Sequence, residues 1–368
     1  MLAGVSAPGI AAPPSRTASP ALSVARPVAS FVDEKAKQSG LNGTVLIQRD
    51  GAQPWARSFG IADRAFDIPM RTDTRLRIAS ITKLFTSTII MQLADEGRLN
   101  VAQPVRTYLP DLAGEAREVT LRQLLNHTSG IAQYDRVATL EQALVEGIPN
   151  YQRPMTAAQM LTACCTGKLV AKPGSRFDYN NADYLLLGRI IERLDGRPFE
   201  QSLRHRILVP LGLRNSGIAY QGALIRRLAP SYFLRPDTKT LMNDLPAYHE
   251  NSDAAGGMYS TPADVARFAE ALFAGRLVKP ASLAAMLAPG LDDYGFGLWS
   301  YDFKRNGKTY RVAKRPGSIM GANSVLYRLI DQKTTIVILA NSNHADLDEF
   351  AQRIAEKVVD QLPASTSS

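Results

Sequence analysis

Cysteine is almost missing from this chain: its 368 residues include only Cys164 and Cys165, which are adjacent. Bonding neighbours to each other demands a geometry that folded proteins seldom adopt, so the sequence predicts no disulfide framework. A structural zinc site has no support either, because the four histidines, His127, His205, His249 and His344, lie far apart without ligand spacing. No apolar run reaches the roughly 18–20 residues that a membrane-spanning helix requires. The longest, Leu84 to Leu93, is broken by Thr86, Ser87, Thr88 and Gln92. Also missing are a Gly-x-Ser-x-Gly elbow, a Gly-x-x-x-x-Gly-Lys phosphate loop and a Gly-x-Gly-x-x-Gly turn opening a βαβ unit. The enzyme classes built on those motifs therefore lack their residues here.

What is present suits an ordinary globular chain: 45% of residues are hydrophobic and 21% charged. Lys and Arg number 43 against 34 Asp and Glu, a net charge of +9 that favours anionic substrates or an anionic envelope. The basic residues are dispersed except for a band at Lys304, Arg305, Lys308, Arg311, Lys314 and Arg315. No nucleic-acid fold signature accompanies that band, so no nucleic-acid partner is expected. Residues 1–22 are rich in Ala, Pro and Ser and read as a disordered tail or leader remnant. They lean the expected location toward the periplasm or secretion, with the cytoplasm as the alternative. Residues 364–368 read as a second tail, and oligomeric state is not legible.

Between the tails, residues 23–363 read as a single catalytic unit. A helical segment to Lys37 precedes two β-rich runs, Gly43 to Gln48 and Trp55 to Ile61, joined through Asp50-Gly51, a hairpin signal. Helices and loops dominate the middle. Thr120 with Gln123 forms a capping box, Thr261-Pro262 opens a helix closed by Gly275, and Ala182 to Leu194 is closed by Gly196. Strands return at Gly295–Phe303, Thr309–Ala313, Ser324–Ile330 and Thr334–Ala340, followed by an amphipathic helix from about Leu347 to Leu362. The predicted fold class is α+β, an α/β sandwich. A mostly antiparallel sheet from about 23–75 and 290–363 carries helices, and residues 76–289 form an inserted, mainly helical lobe across a cleft.

Three patches carry chemistry. Ser80-Ile81-Thr82-Lys83 should enter a long helix stopped by Gly97, with hydroxyl and amine on one face and the Ser80 N–H free to bind an oxyanion. A deprotonated Lys83 could then take the proton of Ser80. Tyr179-Asn180-Asn181 lies in a loop before a helix: Tyr179 is a candidate general base and acid, and Asn181 could bind a substrate carbonyl while orienting Lys83. In Lys314-Arg315-Pro316-Gly317-Ser318, Gly317 admits a ligand close to the backbone, Ser318 N–H is a second oxyanion donor, and Arg315 would attract a substrate carboxylate. Pro316 is tolerable only on an edge or cleft-facing stretch of strand.

In order and context these patches resemble the serine β-lactamase and penicillin-binding protein superfamily, and more narrowly its class C β-lactamase-related branch of D,D-carboxypeptidases, D-aminopeptidases and β-lactamase-fold esterases. The resemblance spans roughly residues 25–360. It includes Leu124-Leu125-Asn126-His127-Thr128-Ser129-Gly130, Val209-Pro210-Leu211-Gly212-Leu213, Ala255-Gly256-Gly257-Met258-Tyr259-Ser260-Thr261 and Tyr294-Gly295-Phe296-Gly297-Leu298-Trp299. It implies a β-lactamase/transpeptidase-like fold and an acyl-enzyme on Ser80, with Lys83 and Tyr179 moving protons and no metal or organic cofactor. The implied partner is a small ester, amide or β-lactam substrate, with or without a carboxylate. Hydrolysis of small esters or amides is the leading expectation. β-Lactamase, D-alanyl-D-alanine carboxypeptidase or D-aminopeptidase activity is the alternative, and a catalytically silent penicillin-binding or partner-binding module is the second. One departure stands out: where the family usually presents Lys or His, then one residue, then Gly, this chain has Arg315-Pro316-Gly317. Arginine keeps its charge permanently, which puts a proton relay through that position in doubt.

Overall fold

The computed structural model describes residues 24–134 and 140–362; the tails expected at 1–22 and 364–368 lie outside the described residues. An N-terminal helix α1 (Arg26–Gln38) leads into strands β1 (Gly43–Arg49) and β2 (Trp55–Phe59). The central segment contributes α2 (Thr82–Asp95), α3 (Asn181–Asp195) and α4 (Pro262–Phe273). The chain ends in β3 (Trp299–Arg305), β4 (Lys308–Ile319), β5 (Ala322–Leu329), β6 (Thr334–Ala340) and α5 (Leu347–Asp360). The six strands form one antiparallel sheet in the order β3-β4-β5-β6-β1-β2, so β1 near the start pairs with β6 near the end.

The central strands of the sheet are buried on both faces, as their largely apolar sequences require. All seven residues of β6 are buried. On one face, Val28, Val32 and Ala36 of α1 and Phe350, Ile354 and Val359 of α5 recur at helical spacing and pack on Val45, Ile47, Val325 and Ile338. On the other, Leu46, Leu326, Val337 and Leu339 join the core of the central segment. The Thr120–Gln123 capping box, the Thr261 cap before Pro262 and the left-handed Gly196 (φ 64°) all form as the sequence predicts. Three short sheets escaped prediction because their strands are only two or three residues long: Ile61–Asp63 with Ile68–Pro69; Leu76–Arg77, Met258–Ser260 and Gly217–Ile218; and Tyr232–Leu234 with Leu241–Asn243.

Two expectations need correction. Cys164 and Cys165, at the end of the helix Ala157–Cys165, are joined in a vicinal disulfide. It closes no loop between distant parts of the chain, so it is a local link, not a framework. The strand expected from Gly295 starts only at Trp299, because Gly295 N–H bonds to Leu298 O and the intervening Gly297 adopts a left-handed turn (φ 85°).

One ion pair is structural. Arg328 of β5 is 1% exposed, and its Nη1 and Nη2 donate to the Asp50 carboxylate at 2.7 and 2.6 Å beside the β1–β2 hairpin. Deleting the acid would leave a buried guanidinium uncompensated. Asp50→Ala is therefore expected to lower unfolding free energy by about 3 kcal/mol, read as a fall in the urea midpoint with an unchanged slope.

Candidate active site

Ser80 does not begin α2, as the sequence reading had it; it lies in a one-turn 3₁₀ segment, Ala79–Ile81, immediately before it. Ala79 turns the chain with a left-handed φ of 43°, unusual for a residue with a side chain, and thereby offsets Ser80 from the helix axis. At this first turn the Ser80 N–H has no preceding helical carbonyl to meet. α2 itself is buried nearly all round. Phe85 stacks on Phe268 of α4, Thr86 Oγ1 donates to Ala254 O at 2.7 Å, and Ser87 Oγ meets Tyr184 Oη of α3 at 3.0 Å. The helix that carries Lys83 is thus held from several sides.

Lys83 is fully buried, and its Nζ donates to Asn181 Oδ1 (2.6 Å), to Ala255 O (2.7 Å) and to Ser80 Oγ (3.2 Å). The first two partners are pure acceptors and consume two N–H bonds. A neutral amine has two N–H bonds and one lone pair, so at this distance it can accept a proton from Ser80. Tyr179 Oη reaches the same hydroxyl, donating to Ser80 Oγ at 2.7 Å. Asn181 fulfils its predicted part toward Lys83, while its Nδ2 donates to Tyr151 Oη at 3.2 Å.

Arg315 departs from its expected role. It was read as an exposed cation awaiting a carboxylate, yet it is 1% exposed and lies behind the tyrosine. Its Nε donates to Ser80 O (2.7 Å), Nη1 to Tyr294 Oη (2.7 Å) and Nη2 to Tyr179 Oη (2.5 Å). The rings of Tyr179 and Trp299 flank it at 5.2 and 5.4 Å. The physical reason is that both faces of β4 are covered here: Lys314 turns toward α5, where it pairs with Asp348 at 2.8 Å, and the next residue must point inward.

The electrostatic result is selective. Burial pushes the hydroxyls of Tyr184 and Tyr294 above the ordinary tyrosine range. Burial acts on Tyr179 in the same direction, but the Arg315 and Lys83 cations outweigh it, and Tyr179 is lowered. Of the tyrosines around Arg315, Tyr179 is the one whose phenolate the surroundings favour.

Strand β4 carries Ser318, whose N–H is the expected second donor. Its register with β3 ends at Trp299–Lys314, so residues 315–319 have β5 on one side and open space on the other. Ile319 and Ala322 close a two-residue hairpin. Alternation from that pair makes Pro316–Val325 and Ser318–Asn323 non-hydrogen-bonded pairs, which points the Ser318 N–H away from β5 toward the cleft. Pro316 sits where no ladder donor is needed, as predicted. A Cβ on Gly317 would come within 2.8 Å of Ser80 N and 2.6 Å of Ile78 O, so only glycine lets the strand lie against the nucleophile's amide.

Behind Tyr179, sequence reasoning missed a support. Buried His127 Nδ1 lies 2.8 Å from Asp183 Oδ2 and accepts from Asn180 N–H at 3.2 Å, while His127 O accepts from Asp178 N–H at 2.8 Å. Burial, reinforced by Lys83 and Arg315, pushes His127 well below its usual range, and burial raises Asp183 well above its own. Both shifts favour the uncharged forms, and the pair tethers residues 178–180 behind the tyrosine. The signals were present in the quoted patches around His127, Ala255 and Tyr294, but residue type alone did not reveal that a backbone carbonyl or a second phenol would be used.

The match to known proteins agrees with this geometry. Residues 28–360 fit the family model described as Beta-lactamase. Esterase EstB of Burkholderia gladioli is 28% identical over 299 residues, covering 72% of this chain and 74% of the esterase. The penicillin-binding protein of Bacillus halodurans superposes with a TM-score of 0.75 at 27% identity, over 88% of this chain and 98% of the other. A D-stereospecific amidohydrolase from Streptomyces gives 0.76 at 26% identity, over 92% and 100%. Among the described residues no helix is long and apolar enough to cross a membrane. With its β-lactamase/transpeptidase-like sandwich and a family match over most of its length, this chain belongs to the Beta-lactamase family, as one of its serine hydrolases.

Proposed function

We propose that the protein hydrolyses esters or amides of small acyl groups through an acyl-enzyme on Ser80. The observation that carries this reading is the placement of Ser80 Oγ between Lys83 Nζ at 3.2 Å and Tyr179 Oη at 2.7 Å. Neutral Lys83, or the Tyr179 phenolate favoured by Arg315, takes the hydroxyl proton as Ser80 Oγ attacks the carbonyl carbon. The oxyanion forms between the N–H groups of Ser80 and Ser318. Tyr179 returns a proton to the departing oxygen or nitrogen, and water, activated by the same pair, frees the acid and regenerates Ser80. The likeness to an esterase and an amidohydrolase supports this chemistry. We read residues 23–363 as the catalytic unit, acting in the periplasm or outside the cell; the composition of residues 1–22 supports that location.

The test is p-nitrophenyl butyrate turnover together with intact-protein mass after rapid acid quench. The wild type is expected to release phenolate and to carry a butyryl adduct transiently, and Ser80→Ala to show neither. Phenolate release persisting at the wild-type rate in Ser80→Ala overturns the assignment. A stable, Ser80-dependent benzylpenicillin adduct without ester turnover would replace it with a penicillin-binding role.

A further inference from the structure

Ser80 and Ser318 lie at the junction of two cavities of opposite character. One, of about 230 Å³, is mainly apolar, with Ile148, Tyr151, Leu245, Pro246, Ile319 and Met320 in its wall. The other, of about 730 Å³, is an open trough whose wall includes Tyr179, Trp299, Arg315, His344, Asp346 and Asp348. Tyr179 lines only the trough. The proton that departs with the alcohol or amine comes from Tyr179 in the mechanism above, so the leaving group occupies the trough and the acyl group the apolar cavity.

The trough is poorly made for an anion, although the chain as a whole carries a net charge of +9. Arg315 is the only Lys or Arg in its wall among the described residues, and it is 1% exposed, with Nε, Nη1 and Nη2 each donating to a protein oxygen. The nearest further cation of β4, Lys314, is paired with Asp348. The N-terminus of α5 opens here, but Asp346 caps it through Glu349 N–H, and Asp348 and Glu349 occupy its first turn, so its dipole is already answered by carboxylates. The ring of His344 lies against Gly40, close enough that a Cβ there would come within 2.8 Å of it. Elsewhere in the basic band, Arg305 is bound to Asp360 and Arg311 to Asp331.

We infer that the site is selective at its leaving-group side: it takes esters or amides of a short apolar acyl group whose leaving group is neutral or cationic, and it rejects leaving groups bearing a carboxylate. Asp346 and Asp348 are the specificity-determining residues, because they occupy the α5 N-terminus and Lys314, the two positive groups that would otherwise receive a carboxylate. The inference rests on the acyl-enzyme reading and divides the substrate classes that reading leaves together, since C-terminal D-alanyl peptides and penicillins carry a carboxylate on the side that must enter this trough.

Three hexanoyl esters test it: hexanoyl glycolate, hexanoyl glycolamide and hexanoylcholine, with each kcat/KM divided by the ester's rate of alkaline hydrolysis to remove intrinsic reactivity. The glycolamide is expected to exceed the glycolate by about tenfold or more, with the choline ester at or above the amide. In Asp346→Asn/Asp348→Asn, which retains a capping side chain at residue 346 and frees Lys314, the glycolamide-to-glycolate gap should narrow by about threefold or more. A glycolate handled as well as the glycolamide overturns the inference while leaving the hydrolase reading intact. A gap that persists unchanged in the double variant overturns the role given to the two aspartates. Absence of Ser80-dependent turnover for all three esters overturns the hydrolase reading, and this inference with it.

Discussion

Replacing Lys83 with methionine, which keeps the length and bulk of the side chain, is expected to lower the acylation rate by about 10³-fold or more. The expectation follows from what the amine does at its position. General-base assistance contributes about 10²–10⁴-fold, and Lys83 also holds the Ser80 hydroxyl in line with Tyr179. Its loss additionally strands two acceptors, Asn181 Oδ1 and Ala255 O, in a buried site, which costs stability. The measurement is single-turnover acylation by p-nitrophenyl butyrate, with thermal unfolding run in parallel to show that the variant is folded at the assay temperature. A folded Lys83→Met that acylates within about tenfold of wild type would show that Tyr179 alone suffices as base.

The second large effect is on the pH profile. Arg315 stabilises the charged form of Tyr179 across a 2.5 Å hydrogen bond, so it lowers the tyrosine's pKa and enlarges the phenolate fraction at neutral pH. Taking the cation away must raise that pKa. Where the Tyr179 phenolate is the base of the proposed mechanism, the acid limb of kcat/KM moves to higher pH, by about 1–3 units for an opposite charge at this range. Arg315→Gln is therefore expected to lose about 10- to 100-fold at pH 7 and to recover much of it on the alkaline side. Arg315→Lys keeps the charge but cannot reach Ser80 O, Tyr294 and Tyr179 together, so its limb should move less. A profile displaced uniformly downward at every pH, with no shift of the limb, would show that Arg315 positions the tyrosine without tuning it.

The sequence exposed the elements that carry their own punctuation. Thr120 and Gln123, Thr261 and Pro262, and Gly196 are local chemistry, and β6 was bounded to the residue because its β-branched and apolar run Thr334–Ala340 lies between Lys333 and Asn341. Ser80, Lys83, Tyr179, Asn181, Gly317 and Ser318 were found as separate patches, and the fold brings them together. Arg315 was misjudged because alternation along a strand names two faces without saying which is dry, and on β4 both are covered. Ala255 escaped since it acts through its carbonyl, and the backbone is the same at every residue. The left-handed Ala79 was equally invisible, for nothing in an alanine announces a positive φ.

The pairing of β1 with β6 joins Gly43 to Ala340 and encloses the central segment with its nucleophile helix. Closing so long a loop is entropically slow, and it cannot begin until the last strands have left the ribosome. Gly317 and Ser318 reach Ser80 only on a strand of that closed sheet. A chain in which β6 has not yet paired with β1 therefore holds Ser80 and Lys83 without Gly317 and Ser318 fixed beside them.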